Sequence, residues 1–332
     1  MKLDKRLIIF SIITITWLIY FYFISIQEAF LIIKNNWQIS LTMLFGSIVA
    51  GGSSVGGGAV AFPVFTKVLN ISPDNAKIFS LAIQTVGMGA ASLTIYFSKI
   101  KVDWKVILWG SLGGFFGIFI GTQYISHLLP PDFIKISFTL ILTSFAITLF
   151  HLNKSEHKFY NQVFLWNKKI IYIFMIAGFL GGIVSSLIGN GIDIFIFSVM
   201  VLLFRINEKV STPTSVILMA INAFFGFMIN LFFVNSFVEP ITSYWLAAVP
   251  VVVIGAPLGS LLCNLISREN ISNILIFLIF IELISSLIII PLKPITIVFS
   301  FIILMIFSFI NYKMYINPIN NESPKILQKQ NI

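Results

Sequence analysis

One stretch of eight residues limits what this chain can fold into. Gly51-Gly-Ser-Ser-Val-Gly-Gly-Gly58 lies inside an apolar run from Ile39 to Phe65, and five of its eight residues are glycine. Each glycine in a helix interior costs roughly 1 kcal/mol against alanine. In a bilayer, backbone released from a helix is tolerated only where protein buries it or a wet cavity receives it. The stretch therefore reads as a helix break facing something polar. It has an echo in Gly181-Gly-Ile-Val-Ser-Ser-Leu-Ile-Gly-Asn-Gly191, inside a second apolar run from Ile170 to Phe204. Two interrupted apolar segments at corresponding places in two halves point to a binding site built from broken membrane helices.

Composition supports a membrane setting. The 332 residues are 58% hydrophobic and 10% charged, with mean hydropathy +1.00, whereas a soluble domain carries about 25% charge. The net charge of +9 does not point to nucleic acid, because the lysines lie in short loops between apolar runs, where the positive-inside rule puts them. The single cysteine, Cys263, excludes internal disulfides and a cysteine metal cage. His127, His151 and His157 lie at span ends without ligand spacing, so neither metal nor cofactor is expected. The run Leu7–Ile26 follows Lys2, Lys5 and Arg6, has no small-residue cleavage site behind it, and is expected to be retained as a span.

The other apolar runs are Ile78–Phe97, Val106–Ser126, Phe133–Leu152, Thr212–Val234, Ile241–Ile266, Ile271–Ile290 and Ile295–Tyr312, each near the roughly 20 residues a helix needs to cross. Landmarks recur in order. Gly56, Gly57 and Gly58 match Gly189, Asn190 and Gly191; Ser80 matches Ser215; Gly117 and Gly121 match Gly255 and Gly259. A duplicated unit follows. The expected division is 1–38 an extra helix and loop, 39–152 a first repeat, 153–169 a cytoplasmic linker, 170–290 a second repeat, 291–312 an extra helix and 313–332 a disordered tail. If both broken segments are re-entrant hairpins and the N-terminus is inside, 16 of the 21 Lys and Arg residues are cytoplasmic and five (Lys34, Lys67, Lys77, Lys135, Lys293) are outside. If both cross, the split is 12 to nine. The hairpin arrangement fits the positive-inside rule better and makes the second repeat inverted relative to the first. The expected fold is thus all-α and polytopic, with two inverted repeats, each a glycine-broken hairpin plus three transmembrane helices.

Gly51–Pro63, the loop Ile71-Ser-Pro-Asp-Asn-Ala76 and Ser80-Leu-Ala82 resemble the sulfite exporter TauE/SafE family, also called the toluene-sulfonate uptake permease family. The second copy resembles it at Gly178–Gly191 and Thr212–Val216. Ile196 stands where the first copy has Pro63, and the first and last spans lie outside the likeness. The resemblance implies a multi-pass protein of the cytoplasmic membrane that exports sulfite, sulfonates or related small anions. An anion channel, and an uptake permease for another small organic acid, remain as alternatives. Among enzymes, the chain shows no His-Glu-x-x-His, no P-loop and no nucleophile–base pair.

Ala59 and Ile192 would open the second limbs of the two hairpins, and a helix N-terminus offers free N–H groups and about half a positive charge to an anion. Ser53, Ser54, Gly56, Gly57 and Gly58 in the first break, and Ser186, Gly189, Asn190 and Gly191 in the second, are the candidate substrate-binding residues. Close helix packing is the competing explanation of the same glycines and serines. Ser80 and Gln84 share one helix face and Ser215 holds the matching place; they either complete a cavity or make interhelical hydrogen bonds. Asp193 and Glu282 are the acids deep in apolar runs. A charge at that depth is costly, so each is protonated, paired or wet. Both are candidates for proton coupling, and Asp193 alternatively caps the second limb. The expected partners are a small anionic substrate and the lipid bilayer; oligomeric state stays open.

Overall fold

The structure, a computed structural model, describes residues 5–54, 64–126, 128, 130–154, 157–290 and 294–319. Gly56, Gly57, Gly58 and the expected second limb from Ala59 lie outside the described residues. The described residues form helices and short turns with no strand; Tyr160 and Ile206 make one isolated bridge. In chain order the helices are α1 (Lys5–Phe23), α2 (Ile26–Asn35), α3 (Trp37–Gly52), α4 (Pro73–Phe97), α5 (Trp104–Ile120), α6 (Pro131–Lys154), α7 (Lys168–Ile188), α8 (Ile192–Ser198), α9 (Glu208–Phe232), α10 (Ile241–Leu265), α11 (Arg268–Ile289) and α12 (Pro294–Ile316). π-Helical turns stand before α4 (Val64–Val68) and extend α5 (Gly121–Ile125) and α8 (Val199–Leu203). Eight of the described helices are long and apolar enough to cross a membrane.

The sequence specifies the helix starts. Ser72, Asp103, Asn167, Asn207 and Ser267 each cap a helix by accepting from a first-turn N–H, which satisfies donors that would otherwise be orphaned. Residues 27–35, expected as loop, form α2, which turns 100° from α1. Ser25 supplies the cap by accepting from Glu28 N–H, and Glu28 sits in the first turn.

Helices α3 and α10 pack along their lengths, as do α5 and α7. Small residues make this possible. A Cβ on Gly51 would run into the Ala256 carbonyl, one on Gly259 into Ile48, one on Gly117 into Phe179 and one on Gly178 into Gly110. Backbone-to-backbone approach of this kind holds helices together in lipid, where apolar side chains gain nothing by leaving the tails. Both pairs run parallel, since Ser40 donates to the Ala247 carbonyl while Gly52 faces Gly259, and Gly178 faces Gly110 while Gly182 faces Gly114. Helices α4 and α9 cross between the pairs, and α6 packs on α11 and α12.

One end of the bundle collects the basic loops. The Val163 N–H donates to Asp103 Oδ2, and Asp103 N–H to Thr214 Oγ1. Tyr160 pairs with Arg205 and Asn207, and Arg268 donates to Glu208 and Asn153. The tail joins them through Ile319 N–H on the Leu203 carbonyl and Arg205 on the Tyr315 carbonyl. Lys99, Lys101, Lys105, Lys154, Lys158, Lys168, Lys169, Arg205, Lys209, Arg268 and Lys313 therefore lie in loops or helix ends at one end of the molecule. Helix α1 starts toward this end too, because Tyr20 donates to Leu246 and Trp17 to Pro250, farther along α10. The segment 168–207 leaves and returns to the basic end of the bundle, whereas α3 starts and residues 64–72 finish at the end where α4 begins.

Candidate functional site

The second break is fully described. Helix α7 runs for 21 residues, about 31 Å at 1.5 Å per residue, so this hairpin has one span-length limb and one short limb rather than two short ones. Gly181 and Gly182, expected in the break, lie inside α7, and the break is confined to Gly189–Gly191. Nothing interrupts the helix between the Asn167 cap and Ile188, and Gly189 then ends it at φ +89°. Only glycine adopts that conformation without strain. Space demands it as well, since a Cβ there would stand 2.6 Å from Ser80 Cβ and 2.8 Å from the Lys77 carbonyl. Two residues later α8 starts, with Ser185 Oγ accepting from its Ile192 N–H at 3.1 Å.

Helix α4 clamps this break. Gln84 Nε2 donates to the Gly189 carbonyl at 2.7 Å and to Ser80 Oγ at 2.6 Å, and Ser80 Oγ donates to the same carbonyl at 3.3 Å. The carbonyl freed by the helix end thus has two donors, as a buried backbone group must. Both members of the predicted Ser80–Gln84 pair reach the predicted Gly189, and their donors are spent on it. The Ser186 hydroxyl donates to the Ile183 carbonyl and is buried. Asn190 and Gly191 complete the turn.

Asp193 occupies the first turn of α8 and is 1% exposed. Its carboxylate lies by the N–H groups of Gly191, Asp193 and Ile194 and by the Asn190 side chain, without a hydrogen bond of ordinary geometry to any of them. The carboxylate therefore stands at the positive end of the half-helix.

The remaining predicted residues are placed as follows. Ser53 and Ser54 end α3, buried, with no hydroxyl partner among the described residues. Ser215 is buried in α9 and donates to the Thr212 carbonyl. Glu282 is away from the break, between α6 and α11, where it accepts from Thr139 and Ser286 at 3.2 Å each. A cavity of about 20 Å³ lies beside the clamp between α3, α4 and α10, lined in part by Ser47, Ser80 and Gln84. That is room for one water and too little for an oxyanion, so this conformation is closed around the break.

From sequence alone, Lys77 counts only among the lysines on the outside. It stands one turn before Ser80, 8% exposed, with its backbone carbonyl against Gly189. The spacing 77, 80, 84 on one helix face was the available signal. At the basic end, His157 is held below the ordinary histidine pKa by burial and by Arg205 and Arg268, so it adds no charge there at neutral pH.

A helical membrane bundle with a clamped break at its centre is the architecture of a multi-pass transport protein. The family model for the sulfite exporter TauE/SafE matches residues 39–286, and the chain belongs to that family, an exporter-type family for sulfite and related sulfur anions. Searches among curated proteins and among solved structures return no match.

Proposed function

We propose that the chain is a proton-coupled secondary exporter of a small sulfur-containing oxyanion, with sulfite or a short sulfonate as substrate. The observation that carries this reading is the Asp193 carboxylate in the first turn of α8. An ionised Asp193 and a bound anion would compete for the same N–H groups. Two like charges about 4 Å apart repel by on the order of 4 kcal/mol at the effective dielectric of a protein site, roughly a thousandfold in affinity. The anion therefore binds when Asp193 holds a proton, and ionisation of Asp193 expels it.

Residues 39–152 and 170–290 form two inverted repeats in this reading. The antiparallel course of α5 and α10, and the exchange in which α3 packs on α10 while α7 packs on α5, support it. The basic end faces the cytoplasm of the inner membrane, in accord with the positive-inside rule. Ser53, Ser54 and the glycines 56–58 supply the matching half of the site, and Ser80, Gln84, Ser186, Gly189, Asn190, Gly191 and Ser215 shape the cavity when the clamp opens. Alternating access then exposes the site to one side at a time.

The test is sulfite flux in proteoliposomes with and without a pH gradient. Wild-type flux should rise when the side the anion leaves is the more acidic one, since the anion binds only with a protonated Asp193. Asp193→Asn, which mimics the protonated acid, should bind sulfite and lose the pH dependence. Unchanged pH dependence in Asp193→Asn would make the acid a helix cap only.

A further inference from the structure

The clamp on Gly189 leaves out one strong donor on the same helix face. Lys77 precedes Ser80 by three residues and Gln84 by seven, so all three project to one side of α4, the side on which Gly189 rests. It lies at the end of α4 far from the basic loops. Its side chain is 11% exposed, and its ammonium is 3.2 Å from Asp74 Oδ1, whose own side chain is 79% exposed. The pair is lopsided. Asp74 is solvated and can leave, since exposed ion pairs contribute little. A largely buried ammonium, by contrast, needs a charged partner wherever it points. Such a group exchanges one carboxylate for another anion at small cost. Ser80 and Gln84, in contrast, are committed to the Gly189 carbonyl.

We infer that Lys77 is a specificity-determining residue, which takes the oxyanion in exchange for Asp74 as the anion passes between the second break and the membrane face opposite the basic end. This assignment rests on the transport reading above. An ammonium is a compact point charge with rotatable donors, so it can follow a small oxyanion as it moves. At the offset that matches Ser80 to Ser215, the counterpart of Lys77 is Thr212, buried and neutral.

The experiment is sulfite exchange by the reconstituted full-length chain, with KM and kcat measured separately. Lys77→Met keeps the apolar stem and should raise KM about tenfold with kcat within about twofold, a loss typical of one charge-assisted contact. Lys77→Arg should recover most of that loss. Asp74→Asn removes the competitor without touching a buried residue, and should lower KM. A purely structural ion pair would move Lys77→Met and Asp74→Asn in the same direction, and that result would overturn the assignment. So would wild-type flux with an unchanged KM in Lys77→Met. If Lys77→Met does not reach the membrane, the direction of the Asp74→Asn shift decides alone. Absence of sulfite flux in the wild type would instead overturn the transport reading, and this assignment with it.

Discussion

The starts of α4 and α9 lie at opposite ends of the bundle, and each carries an ion pair, but the pairs are built in opposite ways. At α4, Asp74 and Lys77 are three residues apart on one helix, with the acid in water. At α9, Glu208 is fully buried and accepts from Arg268 of α11 at 2.6 Å; Arg268 also donates to Asn153 of α6 and stacks on Phe159 at 3.4 Å. The first pair ties nothing to anything else. The second ties three helices and the linker together at the basic end, where the tail and Tyr160 also hold the loop after α8. One end thus carries a pair that joins no other helix, and the other is locked. A carrier closed around its site needs this kind of difference if the two ends are to open in turn.

The largest effect is expected where the lock is cut. Arg268→Ala leaves Glu208 buried without its cation, a change that costs about 3–5 kcal/mol. Thermal unfolding in detergent should show the loss, and loss of under about 1 kcal/mol would mean that the basic end is not locked. Next comes Gly189→Ala, which forces a left-handed backbone on a residue with a Cβ and drives that Cβ into Ser80. Strain of about 1–3 kcal/mol falls at the break itself, so sulfite flux should drop by about tenfold or more while membrane insertion stays near normal. Wild-type flux in a well-inserted variant would show that the clamp can be rebuilt freely. Asp193→Asn, third, leaves stability within about 1 kcal/mol, because the amide keeps the size of the side chain and an oxygen beside the α8 N–H groups. It abolishes the dependence of flux on pH.

Much of this comparison was legible beforehand, for identifiable reasons. Apolar runs of span length, lysine-rich loops and paired glycine clusters are one-dimensional signals, and they gave the helices, the basic end and the second break. The clamp was legible in part. Ser80 and Gln84 were visible as one helix face, but their target was a backbone carbonyl, and a carbonyl has no sequence signature. Glu282 and Asp193 looked alike as acids in apolar runs. Only packing separates them, because Thr139 reaches Glu282 from a helix 143 residues away in sequence. Lys77 was only counted as an outside charge, because a lysine near a helix end ordinarily snorkels to water and burial has no one-residue signature.

The smallest effect is the one that most sharpens the contrast. Asp74 lies in the first turn of α4, behind the Ser72 cap. It contributes through the helix dipole, about 0.3–1 kcal/mol, and through an exposed pair worth about 0–1 kcal/mol. Asp74→Ala should therefore cost about 1 kcal/mol in thermal unfolding, and less as salt is raised, since screening weakens both contributions. Helix α4 keeps its Ser72 cap and Pro73 at its first position, so the start of the helix stays in place. A loss near the 3–5 kcal/mol expected of Arg268→Ala, insensitive to salt, would mean that Lys77 depends on Asp74 as Glu208 depends on Arg268. The two ends would then be locked alike, and Lys77 could not exchange its partner for a passing anion.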